Sequence, residues 1–140
     1  MAARIGRHRG ERPPEWLTVE EPLEIGAAVE RCAHDYEFIL LDCLTVWLSN
    51  LSWEYRDCAE AELQPAVCHE VARLAAAARE THVVAVTNEL GCGLVPESPL
   101  GRRFRDLHGW MNQDAARAAG WVYHLVAGIA VPIKRPGGAL

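Results

Sequence analysis

Phe38-Ile39-Leu40-Leu41-Asp42-Cys43-Leu44-Thr45 decides the fold: an unbroken apolar run closes on a carboxylate and a short polar turn. Val83-Val84-Ala85-Val86-Thr87-Asn88-Glu89 repeats the arrangement farther along the chain. Short apolar runs without polar alternation read as strands buried on both faces of a parallel sheet. Helical stretches separate and flank them. Val46 to Leu51 read as a helix, and from Asp57 to Arg79 the residues Leu63, Val67, Val71, Leu74 and Ala78 recur with a period of about 3.6 residues. Ahead of the first strand, Thr18 and Glu21 have the spacing of a capping box and Pro22 suits a first helical turn. Leu23, Ala27, Ala28 and Cys32 then keep helical spacing towards Asp35. Beyond the second strand, a Gly/Pro-rich loop from Gly91 to Pro99 leads into a helix over Leu100 to Ala119, weakened by Gly109. Trp121 to Val126 and Ile129 to Ile133 read as a final pair of strands. The alternation predicts an α/β layer fold with a mostly parallel sheet. In such sheets ligands bind beyond the strand C-termini. Asp42 and Asn88-Glu89 fall there, so the two strands are expected side by side or one apart, with Asp42 and Asn88 at the same sheet edge.

A chain of 140 residues fits a single domain, 1–140, large enough to bury a core. A net charge of −5 argues against nucleic acid as a partner, because phosphate backbones select basic faces. Cys32, Cys43, Cys58, Cys68 and Cys92 show no zinc-ribbon or C-x-x-C spacing, and are expected to be buried free thiols of a reducing cytoplasm. No apolar run approaches the ~18 residues of a membrane span. The Arg-rich start lacks the apolar stretch of a signal peptide. His34, His69, His82, His108 and His124 have no mutual metal-ligand spacing and read as structural, and Trp47, Trp53, Trp110 and Trp121 as core or subunit contacts.

The segment Arg4-Ile5-Gly6-Arg7-His8-Arg9-Gly10-Glu11-Arg12-Pro13-Pro14-Glu15-Trp16 places one histidine among arginines ahead of a Pro-Pro turn. Guanidinium forks bind phosphate oxygens in bidentate fashion. A cationic surround favours the neutral imidazole, the nucleophilic form. A solvated Arg-rich tail is the other reading of the same residues.

Several segments together carry a family resemblance. They are the Arg4–Trp16 stretch with Thr18 and Glu20, Asp42-Cys43-Leu44-Thr45 with Asn50, the loop Asn88-Glu89-Leu90-Gly91-Cys92-Gly93-Leu94-Val95-Pro96-Glu97, and Arg103-Phe104-Arg105-Asp106 followed by Gly109 and Asn112-Gln113. From Ala2 through Lys134 the chain resembles the bifunctional adenosylcobinamide kinase / adenosylcobinamide-phosphate guanylyltransferase family. The resemblance implies a P-loop NTPase, RecA-like sheet with flanking helices. It also implies phosphorylation of adenosylcobinamide by ATP or GTP, then transfer of GMP from GTP through a GMP-histidine intermediate. Carried over residue by residue, the nucleophile is His8, and the nucleotide contacts are Arg9, Gly10, Glu11, Arg12, Glu20 and Asp42. Glu20 also reads as charge complementing a helix N-terminus. Asn88 and Glu89 also read as hydrogen-bonding their own turn, and Arg103, Arg105 and Asp106 as a solvated, salt-bridged face. The resemblance further implies a cytoplasmic homo-oligomer acting on adenosylcobinamide and its phosphate. Mg²⁺ is expected with the nucleotide, without assigned protein ligands, and no bound organic cofactor is expected.

One family feature is not among these residues. The sequence contains no G-x-x-x-x-G-K-[ST] loop, and its single lysine, Lys134, follows a late strand. Aligned on its histidine, the chain starts one strand–loop–helix–strand unit late. The expectation is that Met1 corresponds to an internal methionine, that the domain is partial, and that its apolar sheet faces and strand edges are left uncovered. The alternative reading is a truncated, catalytically inactive remnant that keeps the fold and associates with intact subunits.

Overall fold

In the computed structural model, residues 13–57 and 60–137 are described. After an extended segment the chain forms helix α1 (Ile25–Ala33), strand β1 (Phe38–Asp42), helices α2 (Leu44–Glu54) and α3 (Glu60–Ala77), strand β2 (His82–Val86), a 3₁₀ turn (Leu90–Cys92), helix α4 (Pro99–Ala118), and strands β3 (Val122–Val126) and β4 (Ile129–Lys134). The α/β alternation read from the sequence holds. β1 and β2 are direct neighbours and parallel, pairing Phe38 with His82 through Asp42 with Val86. β3 and β4 form a separate antiparallel hairpin, so among the described residues the sheet is not mostly parallel: one pair is parallel and one antiparallel. The hairpin turns through Ala127 (φ 50°) and Gly128 (φ 79°). Two successive positive φ values match the right-handed twist of the flanking strands.

The core lies on one side of the parallel pair. Ile25 and Val29 of α1, Trp47, Leu48 and Leu51 of α2, Leu63, Val67, Val71 and Leu74 of α3, and Leu107 and Met111 of α4 form one buried cluster. Ile39, Leu41 and Val83 pack against it from the strands. Their neighbours point the other way: Phe38 is 68% exposed, Leu40 52% and Val84 57%. The expected burial on both faces is therefore corrected: successive strand residues alternate sides, and among the described residues helices cover only one of them.

The helix termini show how local chemistry set the boundaries. Thr18 and Glu21 form no capping box, since α1 begins at Ile25, beyond Pro22. Glu21 Oε1 instead accepts the backbone N–H groups of Leu23 and Glu24, ordering the turn before the helix. That contact holds the Glu21 carboxyl below the usual glutamate range. α1 docks on α3 through the buried Glu70, whose Oε2 accepts the N–H of Gly26 at 2.9 Å. A Cβ at Gly26 would lie 2.6 Å from the Arg73 Cβ, so this helix crossing requires glycine. Arg73 also bonds Glu30 on α1, tying the same two helices and lowering the Glu30 pKa. α4 is capped at both ends. Ser98 Oγ accepts the Gly101 N–H, with Pro99 in the first turn. At the other end Lys134 Nζ donates to Ala116 O and Arg117 O at 2.8 and 2.9 Å. The lone lysine thus offsets the negative end of the helix dipole.

The expected burial of the cysteines is corrected. Cys32 and Cys43 are only half-buried, and Cys68 and Cys92 are exposed, although all of the described cysteines are free thiols. Of the tryptophans, Trp47 is core, with its indole N–H donated to Leu23 O. Trp53, Trp110 and Trp121 are 70%, 41% and 53% exposed. Trp53 carries the Arg56 guanidinium over its ring, and Trp121 stacks on Tyr123.

Candidate functional site

The C-terminal edge of the parallel pair gathers polar side chains from three elements. Asp42 ends β1 beside Val86, and Asn88 follows two residues after Val86, so both lie at one edge as expected. Thr45, in the first turn of α2, is the hub. Its Oγ1 accepts the backbone N–H of Asn88 at 3.1 Å and the Asn88 side-chain N–H at 3.0 Å. It lies 2.9 Å from Nε2 of His108 on α4. A hydroxyl has two acceptor sites and one proton. With both acceptor sites taken by Asn88, Thr45 donates to His108, which fixes Nε2 as an acceptor. Asn112, one turn beyond His108, closes the network: it accepts from Thr87 Oγ1 at 2.8 Å and donates to Asn88 O at 2.9 Å. The turn after β2 is thereby bolted to α2 and α4, beside the exposed carboxylate of Asp42.

His108 is 1% exposed, and its Nδ1 has no hydrogen-bond partner among the described residues. Burial pushes its pKa down, with the Glu89 carboxylate pulling weakly the other way. Protonating Nε2 would also turn an N–H against the hydroxyl that now donates to it. The folded state therefore binds fewer protons than the unfolded chain just below the ordinary imidazole value of about 6.5. Stability from this group is complete above that pH and is lost as pH falls through the lowered folded value. The melting temperature is expected to decline on acidification from pH 7 towards 5. Glu21 and Glu30, with lowered pKa values, add their own loss only in the carboxylate range below about pH 4.5. His108→Gln should flatten the upper part of that decline; parallel melting curves for the two proteins across pH 7 to 5 would refute the assignment.

The remaining sequence candidates separate. Glu89 bonds its own turn, accepting the Gly91 N–H at 2.8 Å. Asn88 reaches back to Thr45 instead. Arg105 is not part of a salt-bridged face; it donates to Gly91 O at 2.7 Å and pins the 3₁₀ turn to α4. Arg102 does the same for Pro96 O and Glu97 O. Glu20 is exposed in the segment ahead of α1, away in sequence from the strand edge where Asp42 lies. His8, Arg9, Gly10, Glu11 and Arg12 lie outside the described residues. The Thr45–His108–Thr87–Asn112 convergence was not read from sequence, although the spacing of His108 and Asn112 on one helical face was visible.

Among the described residues no group of three or more His, Cys, Asp or Glu side chains is placed to hold a metal ion. No helix among them is long and apolar enough to cross a membrane.

Comparison with known proteins supplies the context. The family model described as cobinamide kinase / cobinamide phosphate guanyltransferase matches residues 1–133. The chain is 42% identical over 142 aligned residues to the bifunctional adenosylcobalamin biosynthesis protein CobU of Escherichia coli (strain K12), covering 96% of this chain and 78% of that protein. It is 37% identical over 147 residues to the protein of the same name from Salmonella typhimurium, again with 96% and 78% coverage. It is 35% identical over 144 residues to the bifunctional adenosylcobalamin biosynthesis protein CobP of Pseudomonas aeruginosa, covering 96% of this chain and 75% of the relative.

Proposed function

The chain belongs to the cobinamide kinase / cobinamide phosphate guanyltransferase family, and from that membership we propose that it serves adenosylcobalamin biosynthesis by phosphorylating adenosylcobinamide and then transferring GMP from GTP to the phosphate. The observation that carries the proposal is the match of the family model over residues 1–133, a span that includes His8 and its arginines. The family is described by its kinase and guanyltransferase activities, and the relatives are named as bifunctional proteins of adenosylcobalamin biosynthesis.

In the guanylyl step, the imidazole of His8 attacks the α-phosphorus of GTP. An N–P bond forms, the bond from the α-phosphorus to the bridging oxygen breaks, and pyrophosphate leaves with the electron pair. An oxygen of adenosylcobinamide phosphate then attacks the same phosphorus, the N–P bond breaks, and His8 is restored. Arg9 and Arg12 offset charge on the phosphoryl oxygens, and Gly10 lets backbone approach the phosphates. Glu11, Glu20 and Asp42 supply acceptors for the ribose and base. The kinase step needs a triphosphate and a hydroxyl held in line. Mg²⁺ would come with the triphosphate, held chiefly by phosphate oxygens and water, which suits a strand edge whose exposed carboxylates, Asp42 and Glu89, belong to no metal-holding cluster among the described residues. The setting is cytoplasmic, and the subunits associate, which light scattering tests directly.

The test is covalent labelling with GTP carrying radiolabel on the α-phosphate. Because the 140 residues contain no G-x-x-x-x-G-K-[ST] loop, it is run on this chain and on the chain preceded by a grafted segment bearing that loop. The grafted protein should acquire label that is stable in base, labile in acid and transferable to adenosylcobinamide phosphate, and the chain alone should label far less. Label that resists acid, or that cannot be transferred, would overturn the proposal.

A further inference from the structure

Helix α4 contains a glycine that the fold does not explain. A glycine inside a helix costs about 1 kcal/mol relative to alanine. The other described helical glycines are required by packing: a Cβ would meet the Arg73 Cβ at 2.6 Å from Gly26, and the Pro96 Cβ at 2.8 Å from Gly101. At Gly109, the eleventh residue of α4, a Cβ would meet nothing within 4 Å. What the missing side chain leaves open is the floor of a surface groove of about 280 Å³, lined by Gly91, Arg105, Asp106, Gly109, Trp110 and Gln113. Arg105, Gly109 and Gln113 are spaced by one helical turn each, so they form a single stripe, with Asp106 and Trp110 on the stripe beside it.

The lining specifies its ligand. One guanidinium and one carboxylate face the same space, so the groove has no net charge and offers donors and acceptors together. A polyphosphate would meet repulsion from Asp106. A primary carboxamide satisfies every member: its carbonyl oxygen accepts from Arg105 N–H groups not used by Gly91 O, its NH₂ donates to Asp106, and Gln113 can do either. Trp110, 41% exposed, offers an apolar face to the ring that carries such arms.

We propose that this groove binds the carboxamide-bearing edge of the corrinoid, with Gly109 absent of a side chain so that the ring edge can approach α4. The proposal rests on the reading that the protein acts on cobinamide. The volume holds an edge with its arms and not the whole macrocycle, so the rest of the corrinoid extends over the surface.

The experiment uses dicyanocobinamide, followed by its visible absorbance in equilibrium dialysis against the full chain, with a fluorescent GTP analogue titrated in parallel. Gly109→Leu fills the groove while raising helix propensity, so the variant should melt no lower than the parent. It should bind dicyanocobinamide at least tenfold more weakly with GTP-analogue affinity unchanged. Gly109→Ala, with only a methyl in the groove, should lose threefold or less. Asp106→Arg, which makes the lining cationic, should weaken corrinoid binding tenfold on an exposed position. Affinity for dicyanocobinamide within twofold of the parent in both Gly109→Leu and Asp106→Arg would overturn the groove and leave the functional reading standing. Equal loss of corrinoid and nucleotide binding in Gly109→Leu would also overturn the groove, because the effect would then be global. Failure of the unsubstituted chain to bind dicyanocobinamide at all would overturn the functional reading itself.

Discussion

His8→Asn should abolish covalent guanylylation and GMP transfer in the chain carrying the grafted phosphate loop. Asparagine keeps a polar planar group of similar reach, but its amide nitrogen has no nucleophilic lone pair, so no N–P bond can form. The expected loss is complete within detection, because an enzyme that works through a covalent intermediate has no parallel route of comparable speed. Transfer of the γ-phosphate to adenosylcobinamide should persist, since that step requires only a positioned triphosphate and hydroxyl. Arg9→Ala or Arg12→Ala should slow labelling without ending it, by up to about a hundredfold each, as removal of one charge-stabilising donor does elsewhere. Two assays decide the matter: α-label retained on the protein and γ-label passed to the corrinoid. Persistent α-labelling of His8→Asn would remove His8 from the mechanism, and parallel loss of both activities would make its role structural.

Leu48→Ala should be the most damaging of the simple core truncations, and Leu40→Ala nearly silent. Leu48 on α2 is fully buried within the helical cluster, whereas Leu40 on β1 is 52% exposed on the uncovered side of the strand pair. Removing a fully buried leucine side chain loses its transfer free energy and leaves a cavity, about 3 kcal/mol in typical cores. For a chain of this size that corresponds to a fall in melting temperature of roughly 10 °C. A half-exposed leucine loses under about 1 kcal/mol. Thermal melts of both variants at one protein concentration check this. Equal destabilisation would mean that the outer face of β1 is covered in solution, for instance by another subunit, and the contrast drawn between the two faces would fail.

Features set by short-range interactions are legible in the sequence, and those set by long-range contacts are not. Helices α3 and α4 are legible nearly in full, because long periodic stretches report one buried face irrespective of what covers it. α1 starts six residues later than the Thr18–Glu21 spacing suggests, with Glu24 in place of Thr18 at the N-cap, because Glu21 satisfies backbone N–H groups in another way, those of Leu23 and Glu24. The positions and parallel sense of β1 and β2 are legible in the sequence, which leaves open whether they are direct neighbours or one strand apart, and their burial on both faces does not hold among the described residues. An apolar run shows that a strand can be covered on two sides and carries no information about whether both partners are present.

By itself, the sequence determined the order of elements, the parallel sense of the two strands, the shared edge of Asp42 and Asn88, and the family, because these depend on local periodicity and on contiguous motifs; that the two strands are direct neighbours came from the tertiary structure. Tertiary structure alone decided which polar groups meet. Thr45 reaches His108 across 63 positions of sequence and Asn88 across 43, contacts that exist only because α4 packs against α2 over the end of β2. It also decided that the lone lysine caps α4, and that Gly109 floors an open groove instead of relieving a clash. Side-chain partners are chosen by the rotation and offset of packed helices, and a pattern of burial fixes which face a helix turns inward without fixing what it turns towards.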